Sequence, residues 1–524
     1  MKELVGGQVL LPAWERFAST IAFHDGDYHA DYARHADRVL RLANAMNGEL
    51  GLERSDTFAV LGLNGHQYLE LYHAAFLGAG IINPLNLRLS ARELQLILAD
   101  SEVRVIFVDE FFADHLERAI APVRDDLALE KVVLIGGGEH AHDALYEEVI
   151  ELGHPSPPDE PDEHDPVVLM YTGGTTGLPK GALLDQRAEM LNLYHIAMTV
   201  DLDPGRVYLH QIPMFHAASM GGTLGIPAIG GISVFQPLFD PGQVMDLTER
   251  YQVDWTVVVP TMLAMILDHP DFRPARFSSM RDLVYGASPM PRALLERVRT
   301  ALPDVALWQG YGMTECSTIL TMLTDRDHRL GGERIHSAGR PVLGVQVVIQ
   351  DRGGNVLGPN EEGEVCARAG SFFTRYWHRP RETETALRNG WYHTGDIGHL
   401  DEEGYLYLVD RANDMIVSGG VNVYSIEVEN AVGTHPAVDQ VAVIGIPNET
   451  WGEQVHAIVV LKPGAEVTAE ELKEHARQTI AGYKVPKSFE FRTEPLPLSG
   501  ALKPLKRELR DEYLSRTARE RAAS

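Results

Sequence analysis

The 524-residue chain predicts an α/β fold: a large amino-terminal part with two α/β sheet layers and a β-rich segment, followed by a small mobile α+β domain. Three observations carry that expectation. Short apolar runs alternate with helical patterns through the first half, the pattern turns β-rich and glycine-punctuated beyond residue 340, and from about residue 415 strand-like runs surround an amphipathic helix.

Taken in order, "TFAVLGL" reads as a buried strand, "HQYLELYHAAFLGAG" as a helix, "ARELQLILADSE" as a second helix, and "VRVIFVD" and "KVVLIG" as further strands. Ser90 and Glu93 have capping-box spacing, and Leu94, Ile97 and Leu98 share one helical face, so the second helix covers a sheet. Further on, "RDLVYGASPMP" is a strand entering a turn, "RALLERVRTAL" a helix, and "VALWQGYG" the next strand. In open α/β sheets ligands gather at the carboxyl ends of strands, so the loops 172–181, 286–289 and 309–315 are expected to converge on one pocket.

The β-rich part includes "GVQVVIQDRGGNVLGPNEEGEVCARA" and "GYLYLVDRANDMIVSGG". The last unit has strand-like alternation in "VNVYSIEVENAV", the strands "QVAVIGI" and "HAIVVLK", and the helix "TAEELKEHARQTI". Three segments follow: residues 1–410, a hinge at 411–414, and 415–524, whose tail "SRTARERAAS" is expected to fray.

The formal net charge of −28 argues against nonspecific binding to nucleic acid or anionic lipid. Two cysteines, Cys316 and Cys366, supply neither a disulfide framework nor a cysteine-based metal cluster. The paired histidines of "GGGEHAHDAL" have no further ligands at metal spacing and read as a solvated loop, so no zinc is expected. No apolar stretch has the length of a membrane span, and a reducing cytoplasm is the expected setting.

One stretch stands out chemically. "YTGGTTGLPKGA" follows the apolar run "DPVVLMY" and combines backbone N–H groups made accessible by glycine, hydroxyls of Thr172, Thr175 and Thr176, and the charge of Lys180. That set suits a polyphosphate. It is not a Walker loop, because Pro179 precedes Lys180 and Gly181 follows it, leaving no hydroxyl beside the lysine for Mg²⁺. Taken alone, a glycine-rich surface loop is the commoner explanation of such a stretch.

Together, "YTGGTTGLPKGA", "LVYGASPMP", "WQGYGMTE", "WYHTGDIGHLDEEGYLYLVDR", "SGGVNVYSIEVE" and "LKPLKREL", with "PLNLRLSARELQLILADSE" near the start, resemble the adenylate-forming acyl-CoA synthetases in order and over nearly the whole chain. The resemblance implies the fold described above and an AMP-forming acid–thiol ligase. Such an enzyme first joins a carboxylic acid to AMP from ATP, releasing pyrophosphate. It then passes the acyl group to coenzyme A, releasing AMP. A fatty acid is favoured and an aryl acid is allowed. The implied partners are that small-molecule acid and coenzyme A, with a homodimer as the assembly considered.

The resemblance assigns ATP and AMP contacts to Thr172, Gly173, Gly174, Thr175, Thr176 and Gly177, to Gly286, Ala287 and Ser288, and to Gln309, Gly310, Tyr311, Gly312 and Thr314. Tyr311 offers a flat face for adenine, and Glu315, with Thr175, would hold Mg²⁺. Asp396 and Arg411 match the ribose-binding positions. Lys503 matches the lysine that serves adenylation, with Lys506 as the fallback because Leu502 stands where relatives have glycine and Gly500 lies three places before Lys503. Lys180 would assist departure of pyrophosphate, and His216 would orient the substrate.

Phe215, His216, Ala217, Met220, Gly221, Gly310 and Met313 are expected around the acyl group; no aspartate in "MFHAAS" could hold an α-ammonium, which disfavours an amino acid. Tyr285, in place of a second glycine, is expected to narrow the space shared by nucleotide and acyl group. Ser418, Gly419 and Gly420 would face coenzyme A after domain rotation, with Lys484 and Lys487 near its phosphates. Asn413 occupies the hinge, where its tolerance of left-handed backbone angles suits rotation. Two enzymatic alternatives remain open, loading of a carrier protein and a luciferase-like oxidation of the adenylate; a nucleotide-binding scaffold without catalysis is the third.

Overall fold

Ser90 accepts a hydrogen bond from the backbone N–H of Glu93 while the Glu93 carboxylate accepts one from the Ser90 N–H, so the helix Ala91–Asp100 begins where its capping box demands. Leu94, Ile97 and Leu98 on its inner face are buried with Ala59, Leu61, Ile106 and Val108 from the sheet beneath. The computed structural model describes residues 4–172, 179–200, 202–288, 290–411, 416–418, 421–448, 452–498 and 504–523.

Two sheets form the body of the large part. One has eight strands, with Thr57–Leu61 at its centre between Ile81–Pro84 and Val105–Asp109, all parallel. Pro166–Thr172 joins its flank and pairs antiparallel with Lys180–Asp185, so the glycine-rich stretch connects two adjacent strands. The short strand Arg375–Tyr376 then pairs with Leu183 and Ala182 at the edge.

The other sheet has nine strands, and its parallel section runs Ile232–Phe235, Val207–His210, Trp255–Val258, Asp282–Gly286 and Ala306–Tyr311. Period-two alternation divides its side chains between two cores. Tyr208, Trp255 and Val284 face the large core shared with the eight-stranded sheet, whereas Leu209, Val258, Leu283, Tyr285 and Leu307 face the helices on the outer side. The Tyr285 ring packs into the outer core, where its hydroxyl lies 2.7 Å from His328 Nε2 and 3.3 Å from Gln309 Oε1, while the residue also borders the cavity at the strand ends.

The β-rich segment is a five-stranded sheet containing Gln346–Gln350, Gly363–Arg368, Trp391–Leu400 and Leu406–Arg411. The last of these pairs Arg411 with Asp396 and ends at the expected hinge, whose residues 412–414, including Asn413, lie outside the described residues. The small unit has its own five-stranded sheet, with Val438–Asn448 against Gly452–Leu461, and its own apolar core around Val428, Val432, Val443 and Leu472.

Two readings of this unit need correction. The run after Tyr424 is the helix Ser425–Gly433, because Val428, Ala431 and Val432 bury at helical spacing, and only Val421–Val423 is strand. The tail does not fray at Ser515, since the helix Lys506–Ala523 continues through its alanine- and arginine-rich residues, which are good helix formers. No described helix is long and apolar enough to cross a membrane.

Candidate active site

The carboxyl ends of the parallel strands open onto a cavity of about 1030 Å³. Thr172, Pro179 and Lys180 line it from the eight-stranded sheet, and Gly286, Ala287, Gly310, Gly312, Thr314 and Glu315 from the nine-stranded one. The three loops expected to converge do so in their described residues. Gly173, Gly174, Thr175, Thr176 and Gly177 lie outside the described residues.

The glycines of the nine-stranded side are set by close approach. A Cβ on Gly286 would stand 2.3 Å from the Gly310 carbonyl oxygen, and one on Gly312 would stand 1.9 Å from that of Thr318. Ala287 follows with φ of 66°, a left-handed conformation that costs a non-glycine residue energy and here turns the chain at the cavity wall. Ser288, Gln309 and Tyr311 are described but do not line the cavity.

Lys180 opens a strand of the eight-stranded sheet and Glu315 lies in the short turn Thr314–Cys316 after a strand of the nine-stranded one, and Tyr376 joins them. Its hydroxyl donates to Glu315 Oε1 at 2.8 Å, and its ring lies 5.4 Å from the Lys180 ammonium. Burial and the neighbouring Glu315 carboxylate push the Tyr376 hydroxyl well above its ordinary range, so it stays a donor at neutral pH. Tyr311 plays the matching part for Asp396, donating to Oδ2 at 2.6 Å, with burial and that carboxylate raising its own pKa. The Tyr392 hydroxyl donates to Met313 Sδ at 3.2 Å and closes the same wall. Tyr376 and Tyr392 escape sequence reasoning because their partners lie 61 and 79 residues away and no local pattern marks them.

A divalent cation accompanying a nucleotide needs one or two carboxylates, with phosphate oxygens and water completing its shell. The carboxylate of Glu315, in the cavity wall and oriented by Tyr376, fits that requirement. Another donor set lies together among the described residues, Glu364, Cys366 and His393, with ligand atoms within 4.8 Å of one another. There His393 Nδ1 is 2.9 Å from Glu364 Oε2, Arg388 pairs with the same carboxylate at 3.0 Å, and burial pushes the Cys366 thiol up to about 12. With its carboxylate neutralised and its thiol protonated, this set reads as cross-strand hydrogen bonding.

Phe215, His216, Ala217, Gly221, Gly310 and Met313 line the cavity, and the His216 Nδ1 accepts from the Ala218 N–H at 3.3 Å. Met220 is instead packed into the core. From the small unit, Leu498, Pro504, Leu505 and Glu508 reach the cavity, and Arg88 donates to the Leu498 carbonyl at 3.4 Å. Lys503 lies outside the described residues. The fallback Lys506 is held by Glu429 at 2.8 Å and by Ser425 Oγ at 2.7 Å, away from the cavity.

Arg411 ends the strand beside Asp396, and Ser418 ends the strand Ile416–Ser418; Gly419 and Gly420 lie outside the described residues. Lys484 pairs with Glu427 at 2.6 Å, and Lys487 donates to the Gly482 carbonyl at 3.4 Å, neither at the cavity.

A strand-bounded cavity that brings lysine, carboxylates and close-approach glycines together beneath a small second unit defines a nucleotide-using enzyme. The chain belongs to the AMP-binding enzyme family: the model of that family matches residues 12–377, and that of the AMP-binding enzyme C-terminal domain matches residues 427–503. It is 37% identical over 495 residues to a feruloyl-CoA synthase of Amycolatopsis, covering 94% of this chain and 96% of that one. It is 34% identical over 483 residues to the fatty acid–[acyl-carrier-protein] ligase ScoC of Streptomyces coeruleorubidus, covering 91% of each. Among solved structures it resembles the O-succinylbenzoate coenzyme A synthetase MenE of Bacillus subtilis in complex with ATP and magnesium ion, with a TM-score of 0.83, 27% identity, and coverage of 95% of this chain and 98% of that one.

Proposed function

We propose that the protein is an AMP-forming acyl-CoA synthetase. A carboxylate oxygen of the acid attacks the α-phosphorus of ATP, the bond to the β-phosphate oxygen breaks, and pyrophosphate leaves. The thiol of coenzyme A then attacks the acyl carbon, loses its proton, and expels AMP. The observation that supports this best is the shared cavity of Lys180, Glu315 and Asp396, with Leu498 and Pro504 of the small unit at its rim.

In this reading Lys180 neutralises charge that grows on the departing pyrophosphate, and Tyr376 keeps the Glu315 carboxylate aimed at the cation. Mg²⁺, when bound, offsets phosphate charge and holds the polyphosphate in line. Asp396 accepts from ribose hydroxyls, with Arg411 beside it, while Gly286 and Ala287, which line the cavity, and Tyr311, bonded to Asp396, flank the base. Thr172 to Gly177 and Thr314 surround the phosphates, and Thr175 shares the cation.

Lys503 serves adenylation, a role supported by its flanking residues at the cavity rim and by the engagement of Lys506 elsewhere. Residues 1–410 and 415–524 form two domains that rotate about 411–414, so that Ser418 to Gly420 face the thiol in the second step and Lys484 and Lys487 approach its phosphates. The cytoplasm supplies ATP and coenzyme A.

Lys503→Ala tests the assignment. Acid-dependent pyrophosphate release should fall by at least about a hundredfold, as for loss of one transition-state charge. Thioester formation from supplied acyl-AMP should persist. Equal loss of both half-reactions, or of neither, would overturn it.

Likeness to ScoC favours a second reading, in which a carrier-protein thiol replaces coenzyme A. Acyl-AMP that forms normally but reacts with a phosphopantetheinyl carrier protein and not with coenzyme A would establish it.

A further inference from the structure

We infer that Trp255 is the floor of the acyl pocket and limits the protein to acids of bounded length that carry no charge beyond the reacting carboxylate, of medium-chain or aryl size, excluding long-chain acids. This rests on the acyl-CoA synthetase reading and names its substrate class.

Three observations carry the inference. First, Trp255 is the opening residue of the strand Trp255–Val258 and lies in register with Asp282, whereas Gly286, at the nucleotide end of the neighbouring strand, is four residues further along. At about 3.3 Å per residue the indole stands roughly 13 Å below the reacting end. Second, alternation puts Trp255, Val257 and Val284 on the cavity face of the sheet, and all three line the cavity. Ile196 and Val200, from the helix Gln186–Thr199 and its end, complete an apolar wall. These five side chains carry no charge, so an acid with a second ionised group would lose hydration without meeting a counter-charge among them.

Third, the floor is braced. The Trp255 ring packs edge-on against Tyr208 at 4.9 Å between centroids, and the buried Arg206 guanidinium lies 5.9 Å from it. Arg206 is fixed by Asp254 at 2.6 Å and Asp282 at 2.8 Å, and Asp282 also accepts from Trp308 Nε1 at 2.8 Å. Behind Tyr208 there is no slack, because a Cβ on Gly222 would stand 2.2 Å from the Tyr208 ring. A longer chain cannot push the indole aside without disturbing this buried ion cluster.

The test measures kcat/KM for acid-dependent pyrophosphate release with hexanoate, octanoate, decanoate, dodecanoate, palmitate, cinnamate and ferulate. The full-length wild type and the variants Trp255→Ala and Val257→Phe are compared. Wild type should use octanoate or the aryl acids and lose at least about tenfold on reaching palmitate, since a single methylene too many in a shaped apolar pocket is enough for that discrimination. Trp255→Ala should raise the palmitate-to-octanoate ratio by about tenfold or more with KM for ATP unchanged. Val257→Phe, halfway up the wall, should shift preference towards hexanoate.

If Trp255→Ala fails to fold, the wild-type profile and Val257→Phe decide from the opposite direction. A wild type equally efficient with palmitate and octanoate, or variants that leave the length profile unmoved, would overturn the floor. The profile also separates linear from aryl acids as the favoured source of that shape. Absence of pyrophosphate with every acid would overturn the ligase reading itself, and the floor with it.

Discussion

The hydroxyl of Tyr376 donates to Glu315 Oε1 at 2.8 Å while the same ring lies 5.4 Å from the ammonium of Lys180, so one aromatic side chain ties together two charged groups from opposite sides of the cavity. Tyr376 reaches both because its two-residue strand pairs with Ala182 and Leu183, two and three residues after Lys180.

Tyr376→Phe removes the hydrogen bond and keeps the ring. A hydrogen bond to a charged group is worth about 1.5–3 kcal/mol. Adenylation should slow by about 10- to 100-fold, and the Mg²⁺ concentration giving half-maximal rate should rise, read from pyrophosphate release against Mg²⁺. An unchanged Mg²⁺ dependence would remove Tyr376 from the account of cation binding.

Lys180→Ala should lower adenylation by about 10²- to 10³-fold, the range for losing one preorganised electrostatic contact to developing charge. Thioester formation from supplied acyl-AMP should change little, because no pyrophosphate leaves in that step. Adenylation at the wild-type rate would show that the glycine-rich stretch does not serve the phosphates.

Asp396→Asn replaces an acceptor-only group with an amide that presents a donor to the ribose. The Tyr311 hydroxyl, now donating to Oδ2 at 2.6 Å, keeps a weaker acceptor. KM for ATP should rise by about tenfold or more, consistent with about 1.5–3 kcal/mol for a hydrogen bond to a charged group. The kinetics should be measured over a wide ATP range, and an unaltered KM would contradict the assignment.

Glu189 lies in the first turn of the helix Gln186–Thr199, fully buried, with neither carboxylate oxygen hydrogen-bonded among the described residues. Burial, aided by Asp185, pushes its pKa up from 4.5 to about 8. The folded state therefore binds a proton that the unfolded state releases, and the linked stability is complete below the unfolded pKa and lost as pH rises through the folded one. Between pH 4.5 and about 8 the wild type should lose stability from this group. Glu189→Gln should flatten that part of the Tm against pH curve, and identical slopes for both proteins would contradict the burial argument.

The alternating layers of the large part were legible because strand and helix periods are local, and the capping box of Ser90 and Glu93 marks its helix unaided. The convergence of three loops followed from the rule for open sheets. What escaped was long-range or conformational. Tyr376 depends on an edge strand nearly two hundred residues from its neighbours, and Trp255 gains its place only from sheet register. "SIEVE" alternates in sequence yet is helical because Val428, Ala431 and Val432 find a core on one side. The packing of the Tyr285 ring in the outer core was not legible, since position in a motif does not reveal which way a strand residue points.

The central claim is tested most directly by incubating the purified full-length protein with MgATP, coenzyme A and octanoate or ferulate, and quantifying acyl-CoA, AMP and pyrophosphate together. The account predicts all three in equal amounts, dependent on the acid. Acyl-AMP and pyrophosphate without acyl-CoA would contradict coenzyme A as the acceptor, and no pyrophosphate with any acid would contradict the enzyme.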